Sequence, residues 1–340
     1  MSDGFGPSWN SGFSMKKATF WAAAWVLFTG AFADAKELRL GIIGCDTSHV
    51  PAFTKILNDA GHPKHVPGAK VVGLYKSFSP EIASSAAHQE DYAKEVVDNW
   101  GVRIESSVES LLAGVDAVLI ETVDGRPHLG YAKAVIAAGK PVFIDKPVAG
   151  SLKDAMEIFR LSKEAEVPVF SSSVYRFYQS MKDLCKTDVG KVRSALSVGP
   201  ATLEPTHPDL FWYAVHPAEA LYAVMGQGCE SVTRTQTDSC EVVTGVWKDG
   251  RVGILHGLRN GPSYHKVTVF GTKTVLEQRA EPHDYSPLVA EIVRFFETGI
   301  SPVPAEETLE LFAFMEAADE SKREGGRPVS LAEVVRKHSP

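Results

Sequence analysis

The chain has 340 residues, which is long enough for two domains with sizeable cores. Hydrophobic residues make up 44% and charged residues 23%, an ordinary composition for a globular protein. The formal net charge of -7 argues against nucleic acid or an anionic membrane as a main partner, because both repel an acidic surface.

Residues 1–35 have the pattern of a secretory signal peptide. Met15-Lys16-Lys17 is a short basic region at the expected start of translation, and Ala18–Phe32 is an uncharged, mostly apolar run. Ala33-Asp34-Ala35 fits the small-x-small cleavage pattern, and the run is shorter than the ~20 residues of a membrane span. We therefore expect an exported, periplasmic protein with no stable membrane insertion after cleavage; an uncleaved anchor is the alternative. The basic pair is not the twin Arg used to export folded proteins, so export would leave a nicotinamide cofactor behind.

Residues 36–150 alternate strand and helix patterns. Apolar strand patterns cover 38–43, 69–75, 117–120 and 142–144, and helix patterns cover 50–60, 80–100 and 129–138. Near-continuous apolar strands separated by helices predict an α/β domain with a doubly wound parallel sheet. Ligands of such sheets bind at the carboxyl ends of the strands, and those ends carry Asp46, Lys76, Glu121 and Lys146.

Residues 151–340 change pattern after one more helix and strand, at 151–165 and 168–172. Strand patterns follow at 231–237, 241–247, 251–258, 266–270 and 273–277, with helices at 217–225, 285–298 and 306–323. Lys248-Asp249-Gly250 is a hairpin signal between two of these strands. The pattern predicts a second α+β domain with an antiparallel sheet. Cys229 and Cys240 are candidates for a disulfide in an oxidising compartment, although their spacing alone does not show one.

The turn after the first strand starts like a dinucleotide-binding turn and then departs from it. Gly44 takes the first position of G-x-G-x-x-G, but Asp46 takes the second and His49 the third. One interpretation is a rewritten phosphate loop in which Thr47 and Ser48 donate to a phosphate. A second is a divalent-metal or substrate-hydroxyl site of Asp46 and His49, with Glu121 as a further ligand. A helix cap by Thr47 or Ser48 is compatible with both.

The order of motifs along the chain is more specific than any one of them. Pro127-His128 precedes an Ala-rich helix, and Gly139-Lys140-Pro141 leads through a short strand to Asp145-Lys146-Pro147. Arg176-Phe177, an aromatic stretch ending at His216, and Phe270-Gly271-Thr272-Lys273 follow. This order resembles the glucose–fructose oxidoreductase / inositol dehydrogenase / rhizopine catabolism (Gfo/Idh/MocA) family, from about Leu38 to Leu331.

The resemblance implies an N-terminal Rossmann-like domain that binds NAD(P) and a C-terminal α/β domain with an open, mostly antiparallel sheet. It also implies a sugar or polyol substrate and a homo-oligomer formed through the open sheet. The family's E-K-P lysine corresponds to Lys146, with Asp145 in place of Glu. Its D-x-x-x-H histidine corresponds to His216, but Trp212 stands where that motif has its carboxylate.

The remaining candidates have a structural alternative each. Tyr213 shares a face with His216 if this stretch is helical, so Tyr213 or His207 is expected to supply its polar partner. Arg176 is expected to clamp a substrate group or to form a salt bridge. His128 corresponds to a family histidine near the nicotinamide, or it only starts a helix. Lys76 and Ser77 suit a 2′-phosphate, which favours NADP if a dinucleotide binds, unless Lys76 is only an exposed strand-end residue.

Three functions follow. The first is a sugar or polyol oxidoreductase with tightly bound NAD(P), in which Lys146 and His216 transfer the hydroxyl proton. The second is a non-redox or metal-assisted lyase or hydrolase that acts on a saccharide with the same two residues. The third is a non-catalytic periplasmic carbohydrate-binding protein.

Overall fold

The computed structural model describes residues 37–261 and 264–339. The predicted signal peptide, residues 1–35, lies outside the described residues. In the part of the chain that is described, no helix has the length and apolar character to span a membrane.

The first half of the described chain forms a parallel sheet, as predicted. Its strands are β1 (Leu38–Ile43), β2 (Ala69–Tyr75), β3 (Arg103–Glu105), β4 (Ala117–Ile120), β5 (Val142–Ile144) and β6 (Val169–Phe170). They lie in the order β3-β2-β1-β4-β5-β6 and pair in parallel throughout. The intervening helices are α1 (His49–Asn58), α2 (Ala83–Trp100), α3 (Val108–Gly114), α4 (His128–Ala137) and α5 (Leu152–Ala165). Because β6 pairs with β5, this sheet continues past residue 150.

Both faces of this sheet are buried, which explains the continuous apolar strand patterns. Ile43 and Ile120 contribute to the core on one face, and Ile42 and Leu119 to the core on the other. Gly41 and Gly73 let Leu111 of α3 approach the sheet closely, since an added Cβ would lie 3.0 Å and 2.8 Å from that side chain. β1 and β4 lie side by side where the strand order reverses, so their loops border the crevice of the fold.

The second half forms a seven-stranded, mostly antiparallel sheet, again as predicted. Its elements begin with a 3-10 turn (Val174–Arg176), α6 (Gln179–Lys186), β7 (Val192–Pro200), α7 (Asp209–Trp212) and α8 (Val215–Met225). They continue with β8 (Cys229–Gln236), β9 (Cys240–Trp247), β10 (Val252–Leu258), β11 (Lys266–Gly271) and β12 (Val275–Glu277). The last are α9 (Ser286–Thr298), α10 (Ala305–Arg323), β13 (Val329–Ser330) and α11 (Leu331–His338). The strand order is β12-β11-β7-β10-β9-β8-β13.

Two features of this sheet differ from the expectations. β7 is absent from the predicted strands, yet it lies between β11 and β10 and pairs in parallel with β10. The candidate disulfide is wrong, because Cys229 pairs with Trp247 at one end of the β8–β9 hairpin while Cys240 lies at the other end. Both thiols are free.

One face of the second sheet is covered and the other is open. α8 packs against β7 and β10, and α10 packs against β8. The side chains under these helices, such as Val243 and Leu255, are fully buried. The alternate side chains Val242 and Val246 are 37% and 41% exposed, so the opposite face carries apolar side chains in contact with solvent.

Candidate functional site

A cleft of about 540 Å³ lies at the carboxyl ends of the parallel strands. The turn after β1, the start of α2 and residues around α7 and α8 line it. Predicted site residues that line it are Asp46, Thr47, Ser48, His49, Lys146, Trp212, Tyr213 and His216. Residues from both halves of the described chain therefore meet at one site.

Lys146 is the one Lys or Arg among the described residues that line the cleft. It follows β5 and the buried Asp145, and its Nζ lies 5.6 Å from the ring centroid of Tyr213. Tyr213 is 39% exposed, and its ring lies 5.4 Å from that of His216. A cation, a phenol and an imidazole thus face the same space, an arrangement suited to proton transfer on a substrate hydroxyl.

His216 is held by Ser173, which follows β6. Its Nδ1 lies 2.7 Å from Ser173 Oγ, a partner that the sequence did not indicate. Burial, the charge of Lys146 and neighbouring histidines hold the pKa of His216 well below its usual value. The imidazole is therefore neutral at physiological pH and can accept a proton.

Gly44 keeps the tight turn that the first position of the motif requires. Its φ is +116°, and an added Cβ would lie 2.6 Å from the backbone of Glu121 and Thr122. The predicted helix cap is only partly present: Ser48 occupies the N-cap position without a side-chain cap, while His49 N–H donates to Thr47 Oγ1 at 2.9 Å.

Asp46 is a buried carboxylate that bridges the crevice. Val123 N–H, after β4, donates to Oδ1 at 3.0 Å, and Ser85 Oγ, on α2, donates to Oδ2 at 2.6 Å. The side chain is 3% exposed, and burial raises its pKa to about 6 although both hydrogen bonds lower it. The second position of the motif is thus occupied by a polar link between two loops.

Two acidic residues, Asp145 and Glu121, follow neighbouring strands, and His49 contacts Asp145. Its Nδ1 is 2.5 Å from Oδ2 of the buried Asp145. Glu121 is completely buried, and neither of its carboxyl oxygens has a hydrogen-bond partner among the described residues. Burial and the charge of Asp145 raise the pKa of Glu121 well above its usual value, so Glu121 is the neutral acid of the two.

A family model matches the part of the chain that forms the parallel sheet. Residues 38–173 match the model of an oxidoreductase family with an NAD-binding Rossmann fold, Gfo/Idh/MocA. Inositol 2-dehydrogenase of Ralstonia nicotianae is 32% identical over 124 residues, which are 36% of this chain and 32% of that protein. Inositol 2-dehydrogenase 2 of Saccharopolyspora erythraea is 26% identical over 214 residues, 58% of this chain and 56% of that protein.

The chain spans about a third to just over half of the length of the curated Gfo/Idh/MocA relatives that it matches. Solved structures cover more of it. Scyllo-inositol dehydrogenase from Lactobacillus casei, with bound NAD(H) and scyllo-inositol, has a TM-score of 0.72 at 16% identity and covers 87% of this chain and 100% of its own. GenD2 from gentamicin A biosynthesis, in complex with NAD, has a TM-score of 0.70 at 15% identity and covers 86% and 96%. At these identities the likeness shows the fold.

The residues of this chain do not fit the dinucleotide of the Gfo/Idh/MocA family. The crevice between the loops after β1 and β2 and the loop after β4 is where a Rossmann sheet binds a dinucleotide. Asp46 spans that crevice to Val123, and Ser79 Oγ donates across it to Asp124 at 2.6 Å. A pyrophosphate would also meet the carboxylate of Asp46 at the position that normally lacks a side chain.

The ribose position departs from that of an NAD site. Lys76, which follows β2, cannot accept a hydrogen bond from a ribose hydroxyl, and its Nζ lies 2.5 Å from Glu90. Ser77 Oγ lies 2.6 Å from Tyr131 Oη. Neither lines the cleft.

Three other predicted residues have structural partners outside the cleft. His128 is completely buried and bonds Pro147 O and Thr122, so it fixes the loop after β5. The His207 ring is completely buried 3.1 Å from Asp124. Arg176 pairs with Glu219 at 2.8 Å and Glu307 at 2.7 Å, which makes the salt-bridge interpretation the supported one.

The metal interpretation has no support in the geometry. Within residues 37–261 and 264–339, no three His, Cys, Asp or Glu side chains are arranged to hold a metal ion. The oxygens of Asp46 bond Ser85 and Val123, and Nδ1 of His49 bonds Asp145, so these atoms are already used.

Five aromatic or imidazole residues of the cleft were missed by sequence analysis: His88, Tyr175, His265, His283 and Tyr285. The rings of Tyr175 and His265 stack at 3.7 Å, and burial lowers the pKa of His265 to about 4. Tyr285 lies edge-on to His49 at 4.7 Å, just before α9. The signal for the last three of the five is the density of His and Tyr at 264–285.

Proposed function

We propose that the protein is an acid–base enzyme, a lyase or hydrolase, that acts on a sugar or polyol without net oxidation. The observation that carries this proposal is the buried Asp46 carboxylate, which bridges the crevice where the family binds its dinucleotide. Lys146 and His216 nevertheless line the same cleft. An acid–base reaction that uses Lys146 and His216 without a dinucleotide is consistent with the bridging Asp46 and with the lining of the cleft.

The lining of the cleft favours a polyhydroxylated substrate. Trp212, Tyr213 and Tyr175 supply ring faces on which a sugar ring can pack, and the histidines supply hydrogen-bonding groups. The inositol dehydrogenases among the relatives act, by their names, on a cyclic polyol. A sugar or polyol ring also fits within about 540 Å³.

The reaction needs one proton acceptor and one proton donor. In a lyase reaction the neutral imidazole of His216 removes a proton from carbon, the C–H electron pair forms a C=C bond, the C–O bond breaks and the ammonium of Lys146 protonates the leaving oxygen. In hydrolysis His216 takes the proton from the attacking water instead. Tyr213, against both groups, hydrogen-bonds the substrate through its exposed phenol. Protons alone are exchanged between protein and substrate, so no electron acceptor is required.

A second candidate is the oxidoreductase with tightly bound NAD(P), which the match of residues 38–173 to an NAD-binding family favours. In that case Lys146 and His216 would handle the hydroxyl proton, and NAD(P) would supply hydride transfer. A third candidate, carbohydrate binding without catalysis, predicts unchanged ligand affinity in Lys146→Ala and no turnover in either protein.

Two assays on the purified mature protein separate these candidates. NADH and NADPH are titrated by fluorescence, with Asp46→Gly/His49→Gly as the variant that restores both glycines. Inositols, aldonates and glycosides are screened by NMR for dehydration or hydrolysis without added cofactor. We expect no dinucleotide binding to wild type, and cofactor-independent turnover that falls at least ~100-fold in Lys146→Ala. Dinucleotide-dependent turnover by wild type would establish the second candidate instead.

Export to the periplasm and a homo-oligomer formed through the open sheet face are also proposed. The first rests on the signal pattern of residues 1–35, and the second on the exposed apolar side chains of β9.

A further inference from the structure

The pair formed by His49 and Asp145 has the geometry of an oriented base. Asp145 is 2% exposed and accepts from the Lys146 backbone N–H at 2.8 Å through Oδ1, while Oδ2 faces His49 Nδ1 at 2.5 Å. Both carboxylate oxygens therefore have a fixed direction. A buried carboxylate on one imidazole nitrogen fixes the tautomer and leaves the other nitrogen as an acceptor.

The ring plane of His49 is fixed as well. It stacks on Phe53 at 5.2 Å and meets the Tyr285 ring edge-on at 4.7 Å. Among the described residues no group bonds Nε2, and His49 lines the cleft with 12% of its side chain exposed. The acceptor nitrogen therefore has a substrate-sized space beside it and no competing protein donor.

Contacts with His49 and Lys146 keep Asp145 ionised. Burial would raise the pKa of Asp145, but the hydrogen bond with His49 and the charge and backbone N–H of Lys146 hold it below its usual value. Glu121, which follows β4, is the neutral member of the two acids, so the charge is concentrated on the carboxylate that faces His49.

We propose that His49 is a catalytic base of the cleft and that Asp145 is its positioning residue. His49, at the start of α1, and His216, on α8, line the same cleft, so two imidazoles are available to a bound ring. For a substrate C–H bond that faces His49, Nε2 of His49 takes the proton in place of His216, the C–H electron pair forms the new C=C bond, the C–O bond breaks and Lys146 protonates the leaving oxygen. In hydrolysis Nε2 takes the proton from the attacking water, whose oxygen bonds the carbon as the C–O bond breaks. This inference rests on the proposed function.

The tautomer of His49 tests the pair without any substrate. Long-range ¹H–¹⁵N spectra of the wild-type protein are compared with His49→Gln, which assigns the signal, and with Asp145→Asn. We expect the Nδ1–H tautomer in wild type and a shift of the population towards Nε2–H in Asp145→Asn. An Nε2–H tautomer in wild type would overturn the proposed geometry.

Kinetics test the catalytic role on the substrate found in the cofactor-free screen. We expect kcat to fall at least ~100-fold in His49→Gln and ~10-fold in Asp145→Asn, with KM within about threefold and partial recovery in Asp145→Glu. His62→Gln, outside the cleft, is the matched control. Unchanged kcat in His49→Gln would refute the inference while leaving the proposed function intact. A wild-type protein without turnover refutes the proposed function, and the tautomer then decides whether the oriented pair exists.

Discussion

Asp46 and Val123 join the turn after β1 to the loop after β4 through one hydrogen bond of 3.0 Å. In the fold of this family that crevice is open to a dinucleotide, whereas here a carboxylate crosses it. Asp46, in place of the second glycine of G-x-G-x-x-G, therefore both adds a carboxylate at this position and connects two loops. Because the bridging group is titratable, its consequence can be measured through stability.

Asp46→Asn should make stability less dependent on pH. A carboxyl whose pKa rises from 3.8 to about 6 on folding loses its stabilising contribution as pH increases from about 4 to 6. At ~1.4 kcal/mol per pKa unit this loss is about 3 kcal/mol. Urea unfolding at pH 4, 5, 6 and 7 should therefore show wild type losing stability relative to Asp46→Asn up to pH 6 and no further. The exposed Asp91→Asn is the control, and parallel curves for wild type and Asp46→Asn would contradict the prediction.

Glu121→Gln tests the buried acid that has no hydrogen-bond partner. Because burial and Asp145 raise the pKa of Glu121 well above 4.5, the folded protein favours its neutral form. Stability is then lost as pH rises above about 4.5, while Gln does not titrate. We expect the unfolding free energy of Glu121→Gln, relative to wild type, to increase steadily between pH 5 and 8. Glu95→Gln, exposed on α2, should show no such trend; the same trend there would point to a general charge effect.

Strand and helix patterns predicted most of the fold because each element buries a regular set of side chains. β7 was missed because its inward-facing residues include the small Ala195, Ser197 and Gly199, so the apolar alternation typical of a strand is weak. Its position in the sheet is fixed by its pairing with β10 and β11. Pairing between distant segments is not encoded in local periodicity. The same limit explains why the disulfide expectation failed, since strand register determines where Cys229 and Cys240 lie.

The sequence predicted the site residues that belong to recognisable motifs. It did not predict those that reach the site from loops distant in sequence. Lys146 and His216 were predicted and do line the cleft together. Ser173, the partner of His216, lies 43 residues away in sequence, and His283 approaches the site from the segment before α9. The sequence does not identify which of several possible hydrogen-bond partners a polar loop residue has, because that depends on how the loops pack in the folded chain.

Arg234 should be essential to the second sheet. Its side chain is completely buried on β8, and it pairs with Asp209 at 3.0 Å and with Glu241 and Asp319. Arg234→Met leaves these acids without their shared cation, which should cost about 3–5 kcal/mol. The deficit should grow with pH, because removing the cation favours protonated carboxyls. Thermal unfolding measures both effects. Arg294→Met, 61% exposed beside Glu291, should cost less than about 1 kcal/mol, and equal losses in the two variants would contradict the assignment.

The open face of the second sheet should hold protomers together. Val246 pairs across the ladder with Val252, and Val242 pairs with His256, so these exposed positions adjoin further half-buried side chains of β10. A contiguous apolar surface of this kind favours association between copies of the chain. We expect light scattering after size exclusion to give an oligomer for wild type and a monomer for Val242→Asp/Val246→Asp. Ile104→Asp, 47% exposed on β3, introduces the same charge on the other sheet and should leave the oligomer intact. A monomeric wild type, or dissociation by Ile104→Asp alone, would show that this face is not the contact.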